Sequence, residues 1–242
     1  MAKAGLDPTA IVICSTQGTA LPVMAASIAA YLPRDVEIYL AGGDPGLFTR
    51  HKVISLANNA TNFGDAYNQA TGSAFADGHQ ALTIANDDIV LTPDTWTDLL
   101  HDLQAINIQG NIPLHQMGLV GARSDFVVWA QNIRNPGSPA KRDGIRWQHE
   151  YKVVEAQFVA PILAWVGKDA WQTAQFPPIN WYSDNVIAWD LTEAGFRHFV
   201  SRAYIHHAGS QTIGRDYQKA AREDGPWVAA NRPLLAKSLQ LT

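Results

Sequence analysis

The sequence predicts an α/β protein with a doubly wound, mostly parallel central sheet flanked by helices. Three observations predict it. Short apolar runs alternate with stretches of helical period up to residue 103. Two of those runs, "AIVIC" and "ALTIA", are apolar throughout, as strands covered on both faces are. Clusters of Gly, Pro and Asp separate the runs at the spacing of short connections.

The elements follow in order. "AIVIC" is a buried strand, "STQGTALP" a loop and "VMAASIAAYL" an Ala-rich helix. "DVEIYLA" is a second strand stopped by the turn "GGDPG", and "HKVISLAN" holds a third. Asn62 is placed to cap a helix over "FGDAYNQATGSAFA", with Asp65 three residues on, and Phe63, Ala66, Tyr67, Ala70 and Ala74 share one face. After "ALTIA", Thr92 reads as an N-cap and Pro93 as the first helical residue, followed by Trp96, Leu99, Leu100 and Leu103 at helical spacing. "MGLVGARSDFVVW" gives a further strand or two, and "NIRNPGSPAKRDGIRW" reads as a mobile loop. Then come two strands with a bend at Pro161 and a short helix in "KVVEAQFVAPILAWVGKDAWQTAQF". A helix over "DNVIAWDLTEAGF" stops at Gly195, and the strand "HFVSRAYIHH" delivers two histidines to a loop. "PWVAANRPLLAKSLQLT" reads as helix packed on the body.

A chain of 242 residues that is 47% hydrophobic and 17% charged can bury one full core. Its net charge of -4 supplies no basic field, so nucleic acid is not an expected partner. Cys14, the single cysteine, lies inside an apolar run and reads as a small core residue; no disulfide forms within one chain. "MAKAGLDPTAIVIC" lacks a signal peptide's apolar core, and nowhere do eighteen apolar residues run together, so a cytoplasmic protein with no membrane span is expected.

The unusual feature is Asn86-Asp87-Asp88 at the end of an apolar strand. Two adjacent carboxylates there repel each other and lose solvation unless something positive joins them. A magnesium or manganese ion is the simplest partner, completed by substrate phosphates and water. A capped turn with one solvated acid accounts for the tripeptide equally well.

Its surroundings narrow the choice. The stretch from Asn62, Gly64 and Asn68 through Asp87 and Asp88 to Pro93 resembles the family 2 glycosyltransferases, which have the GT-A fold. The resemblance resumes in "FVAPILAWVGKDAWQTAQFPPINWYSDNVIAWDLTEAGFRHFVSRAYIHHAGSQTIG", with Asp184 opening a helix, Gly195 after it and a terminal strand ending in histidines. It spans roughly residues 8 to 214, most specifically in these two blocks.

The resemblance implies a single GT-A-like catalytic domain over 1–214, with a nucleotide-binding half near 8–125, an acceptor half near 150–214 and a helical extension over 215–242. It implies transfer of a sugar from a UDP- or GDP-linked donor to a hydroxyl of a glycan, lipid-linked or protein acceptor, with Mn2+ or Mg2+ and inversion at the anomeric carbon. Asp88 would be the principal metal ligand, and Asn62, Asn86 and Asp87 would face the donor. His206 or His207 would supply a second ligand, His206 being favoured although one register separates them. Asp184 matches the family's catalytic base, yet Ser183 or Asp184 would equally serve as an N-cap. Ser15, Thr16 and Asp44 would contact the base. "IYLAGGDPG" has only Asp44 where two acids are usual, and Gln17 and Gly18 stand where an asparagine is typical.

Six of the eight tryptophans, Trp129, Trp147, Trp165, Trp171, Trp181 and Trp189, lie between residues 129 and 189. Most belong to a core by default; Trp181, with Tyr182, is the expected sugar platform. Arg134, Lys141, Arg142 and Arg146 form a basic loop, readable as a solvated segment or as a cover for a diphosphate. A nucleotidyltransferase needs a Gly-rich signature after the first strand, and a dinucleotide oxidoreductase needs G-x-G-x-x-G; neither is present. The remaining alternative is an inactive GT-A-like carbohydrate-binding or scaffolding module.

Overall fold

The computed structural model describes residues 5–15, 20–124, 131, 152–208 and 217–241. The chain runs β1 (Ala10–Cys14), α1 (Leu21–Tyr31), β2 (Glu37–Ala41), β3 (Val53–Leu56), α2 (Phe63–Ala76), β4 (Ala81–Asn86), β5 (Ile89–Leu91) and α3 (Thr95–Gln104). It continues through β6 (Met117–Ser124), β7 (Val154–Ala156), β8 (Leu163–Gly167), α4 (Lys168–Thr173), α5 (Ser183–Glu193), β9 (Arg197–His207), α6 (Tyr217–Asn231) and α7 (Pro233–Ser238).

Alternation along the strands builds two cores. In β1, Ile11 and Ile13 face one side, where Leu21, Met24 and Ile28 of α1 and Trp96, Leu99 and Leu103 of α3 pack. Ala10 and Val12 face the other, against Tyr67, Ala70 and Ala74 of α2 and Ile187 and Leu191 of α5. A third cluster joins Val228, Leu235 and Ala236 of α6 and α7 to Val186 and Ala188 of α5. Arg232 fixes that junction with two hydrogen bonds to the Asp190 carboxylate, at 2.6 and 2.7 Å.

The strands form one sheet in the order β3-β2-β1-β4-β8-β6-β9-β5, with β7 also paired to β9. The first four are parallel. β6 and β9 also pair in parallel, but β8 runs against both β4 and β6, and β5 and β7 run against β9. The sheet is therefore mixed, and the expectation of a mostly parallel one is corrected. The reason is physical: β8, like β4, is buried on both faces, and an all-apolar strand reads the same in either direction.

Two helix starts also differ from expectation. α1 begins at Leu21, with Pro22 tolerated in the first turn. α3 begins at Thr95 because the Thr92 N–H donates to Thr95 Oγ1 at 2.8 Å, and both threonine hydroxyls donate to the Tyr204 carbonyl of β9. Thr92 thus serves the sheet rather than capping the helix. No helix among the described residues is long and apolar enough to cross a membrane.

Candidate functional site

In the parallel half, register places three strand ends side by side: Cys14 pairs with Ala41 of β2 and with Asn86 of β4. One residue further on, Ser15, Gly42 and Asp87 lie along the carboxyl edge, where open α/β sheets bind ligands. The backbone is zipped to that edge, with Ser15 N–H on the Ala41 carbonyl at 2.9 Å and Gly42 N–H on Leu56 at 3.1 Å. Gly42 and Gly43 both take left-handed φ, near 75° and 76°. A Cβ on Gly42 would meet the Ser15 carbonyl oxygen at 2.3 Å, so the turn after β2 lies directly on the end of β1.

Asp87 and Asp88 form the two-residue turn between β4 and β5, only 8% and 7% exposed. Ser15 Oγ donates to Asp87 Oδ2 at 2.6 Å. Burial pushes the Asp87 carboxyl above the usual range; the Ser15 hydroxyl opposes this, and the neighbouring Asp88 charge adds to it. Asn86 is half-buried at the strand end, its N–H on the Ile162 carbonyl at 3.1 Å. Tyr67, which was not foreseen as a site neighbour, donates from α2 to the Ala85 carbonyl at 2.8 Å and fixes the strand just before the acids. Burial raises the partly buried Cys14 thiol, and Asp87 raises it further, which disfavours the thiolate.

Asp88 meets a histidine, but a different one from that favoured by the sequence. β5 and β9 pair Ile89 with His207 and Val90 with His206. Side chains alternate along a strand, so only one of the two can face Asp88. His207 Nε2 lies 3.2 Å from Asp88 Oδ1, and both side chains are nearly buried. His206 is exposed, with Nδ1 2.9 Å from the Tyr204 hydroxyl. The pairing register of β9, invisible in its sequence, makes this correction.

Two other donor-facing expectations find their residues already engaged. Asn62 caps α2, accepting the Asp65 N–H at 2.8 Å and donating to the Asp65 carboxylate at 2.7 Å. Exposed Asp44 accepts the Gly46 N–H at 2.8 Å and caps the turn after β2. Gly64 and Asn68 dock the segment that leads to α5. A Cβ on Gly64 would lie 1.8 Å from the Pro177 carbonyl oxygen. The Asn68 amide pairs with both backbone groups of Phe176, at 2.8 and 3.1 Å.

That segment ends at Trp181 and Tyr182, both half-buried, with ring centroids 6.4 Å apart and edge to face. Tyr182 stands before α5 at φ 65°, a left-handed conformation that costs a non-glycine residue roughly 1 kcal/mol. Ser183 does not cap the helix; its hydroxyl donates to Pro177 at 3.3 Å. Asp184, in the first turn, accepts the Asn185 N–H at 2.9 Å, and burial pushes its carboxyl up against that bond. Asp224 of α6 accepts the N–H groups of Asn180 and Trp181, a contact that no sequence signal announced.

Trp165 and Trp171 are core residues, and Trp189 is partly buried against the third cluster. Thr16, Trp129, Trp147 and the basic loop with Arg134, Lys141, Arg142 and Arg146 lie outside the described residues. Among the described residues, no group of three or more His, Cys, Asp or Glu side chains is placed to hold a metal ion. At the opposite, amino edge of the sheet lies a groove of about 710 Å³. Its polar groups satisfy one another, Thr9 with His79, Lys52 with Glu37 and Tyr39 with Asp77, each at 2.7 Å.

No protein-family model and no curated protein sequence matches the chain. Among solved structures it is similar to A197 from STIV, at 10% identity, with 80% of this chain and 81% of that one covered and a TM-score of 0.47. It is also similar to S. aureus TarS 1–349, at 10% identity and a TM-score of 0.51. That match covers 92% of this chain, which spans 65% of the TarS structure. The likeness is one of fold: a mixed α/β architecture with a large central sheet flanked by helices.

Proposed function

We propose that the chain is a glycosyltransferase of GT-A type that moves a sugar from a UDP- or GDP-linked donor to an acceptor hydroxyl. The observation that carries this is the buried Asp87-Asp88 turn at the carboxyl edge, with Ser15 on one acid and His207 on the other. A structural turn has no need to bury two adjacent acids, with the charge of Asp88 adding to the cost of ionising Asp87. A site that receives a cation and a diphosphate does.

Asp88 and His207 would hold the manganese or magnesium ion, an oxygen and a nitrogen donor that suit either metal. With these two protein donors among the described residues, diphosphate oxygens and water would complete its shell. When bound, the ion supplies neutralisation of the diphosphate as it leaves. Asp87 and Asn86 would orient the donor, with Ser15 holding the Asp87 carboxylate in place. Trp181 and Tyr182 would offer flat faces to the acceptor.

Asp184 would take the proton from the acceptor hydroxyl, its burial favouring the protonated product of that transfer. The acceptor oxygen bonds to the anomeric carbon, the bond from that carbon to the diphosphate oxygen breaks, and the nucleoside diphosphate departs with the electron pair. Direct displacement inverts the anomeric centre.

One observation favours a second reading, an inactive carbohydrate-binding or scaffolding module: Asp44 and Asn62 are engaged in caps rather than open to a donor. Thermal unfolding with UDP and GDP, with and without manganese, separates the two. A metal-dependent rise in midpoint, about 3 kcal/mol in stability at a hundredfold excess over Kd and absent in Asp88→Ala, supports the enzyme. No shift with either nucleotide in folded protein selects the module.

A further inference from the structure

We infer that Asp224 is a positioning residue, which holds Trp181 and Tyr182 in the backbone conformation that presents the aromatic pair beside Asp184 at the start of α5. Its catalytic consequence rests on the glycosyltransferase reading above; its conformational consequence rests on geometry alone.

Asp224 Oδ2 accepts two consecutive backbone N–H groups, from Asn180 at 3.0 Å and Trp181 at 2.7 Å. Two amides converging on one charged oxygen fix the peptide between them. Tyr182, the next residue, is left-handed at φ 65°, a conformation that persists only where the surroundings over-determine it. Those surroundings come from three elements. α2 supplies the Phe63 N–H, donated to Asn180 Oδ1 at 2.9 Å, and the Asn68 pair on Phe176. α5 supplies the Ser183 bond to Pro177. Of these contacts, the one from α6 is the one that reaches Trp181, at the joint between the docked segment and the strained tyrosine.

A surface acid would be spent otherwise. Its neighbour Glu223 faces Lys219 one turn back at 3.8 Å, an ordinary solvent-side pair, whereas Asp224 is turned inward and half-buried. Helix α6 therefore does more than cover apolar surface: it sets the geometry of the proposed acceptor side.

The test uses the full chain with manganese and UDP-glucose, UDP-N-acetylglucosamine or GDP-mannose, reading release of nucleoside diphosphate as the sugar passes to water, whose oxygen stands in for the acceptor hydroxyl. It adds Trp181 emission, taken as the difference from a matched Trp181→Phe variant. Asp224→Ala is expected to lower kcat about a hundredfold, the cost of a misplaced catalytic constellation, with KM for the donor within about twofold. Asp224→Asn keeps an acceptor oxygen and should recover at least about tenfold of that loss. Trp181 emission should shift in the alanine variant. Arg232→Ala frees α7 from Asp190 without touching the segment, and should lower the melting midpoint while leaving kcat and emission unchanged. Wild-type kcat and emission in Asp224→Ala, or the same losses in Arg232→Ala, would overturn the inference. Should the wild-type chain neither bind nor release a nucleotide, the glycosyltransferase reading falls. The emission then decides alone: a shift in Asp224→Ala sustains the positioning role, and its absence ends it.

Discussion

Asp87 is a residue whose folded environment opposes its own charge. Because burial raises its carboxyl, the native state binds a proton more readily than the unfolded chain does. The sign follows: this group weakens the fold as pH rises through its unfolded and then its raised folded value, so at neutral pH it destabilises the ligand-free protein. Asp87→Asn removes the charge, keeps an oxygen to accept the Ser15 hydroxyl and should raise the melting midpoint without ligand. The same variant should lose most of the manganese-dependent UDP or GDP shift. A lowered midpoint with the nucleotide response intact would show that Asp87 is simply a structural acid. Stability exchanged for binding is what a functional site predicts, and a capped turn does not.

At the scale of the element, α2 carries two glycines with opposite roles. Gly64 lies under the Pro177 carbonyl, where a Cβ would sit 1.8 Å from backbone oxygen, whereas nothing lies within 4 Å of a Cβ at Gly72. Gly64→Ala should cost roughly 1–3 kcal/mol despite alanine's better helix propensity, because backbone must move. Gly72→Ala should stabilise by roughly 1 kcal/mol. Urea midpoints of the two variants measure this, and equal effects would refute the docking of α2 on the segment before α5. The same docking gives Asn62, Gly64 and Asn68 a shared role at one helix start. Asn62 caps, Gly64 admits the close approach and Asn68 clasps Phe176, so the three residues hold the segment before α5.

Over the whole molecule, His198 makes stability depend on pH. It is buried between β6 and α5, accepting the Leu119 N–H at Nδ1 (2.9 Å), which leaves the proton on Nε2, 3.0 Å from the Ala188 carbonyl. Burial lowers its pKa to about 4. Between about pH 6.5 and 4 the unfolded chain takes up a proton that the native state refuses, so stability falls as pH falls across that window. The loss from this group is roughly 3 kcal/mol when complete. Ring resonances of His198 should remain those of the neutral, Nε2-protonated form at pH 5. A titration near 6.5 in the folded protein would contradict the buried, doubly bonded ring.

The residues alone determined where strands and helices lie along most of the described chain, because apolar period, Asn62, the Gly42-Gly43 pair and Gly195 act within a few neighbours. They also singled out Asp87 and Asp88, since buried charge at a strand end is conspicuous in one dimension. Only the tertiary structure decided strand direction, as in β8, whose two buried faces conceal it. Only pairing register chose His207 over His206, since one step along β9 moves a side chain to the opposite face. Asp224 lies forty-three residues beyond Trp181, and a single carboxylate on two backbone amides leaves no periodicity to read. Local sequence writes the elements; contacts between distant segments choose which side chains of each one meet.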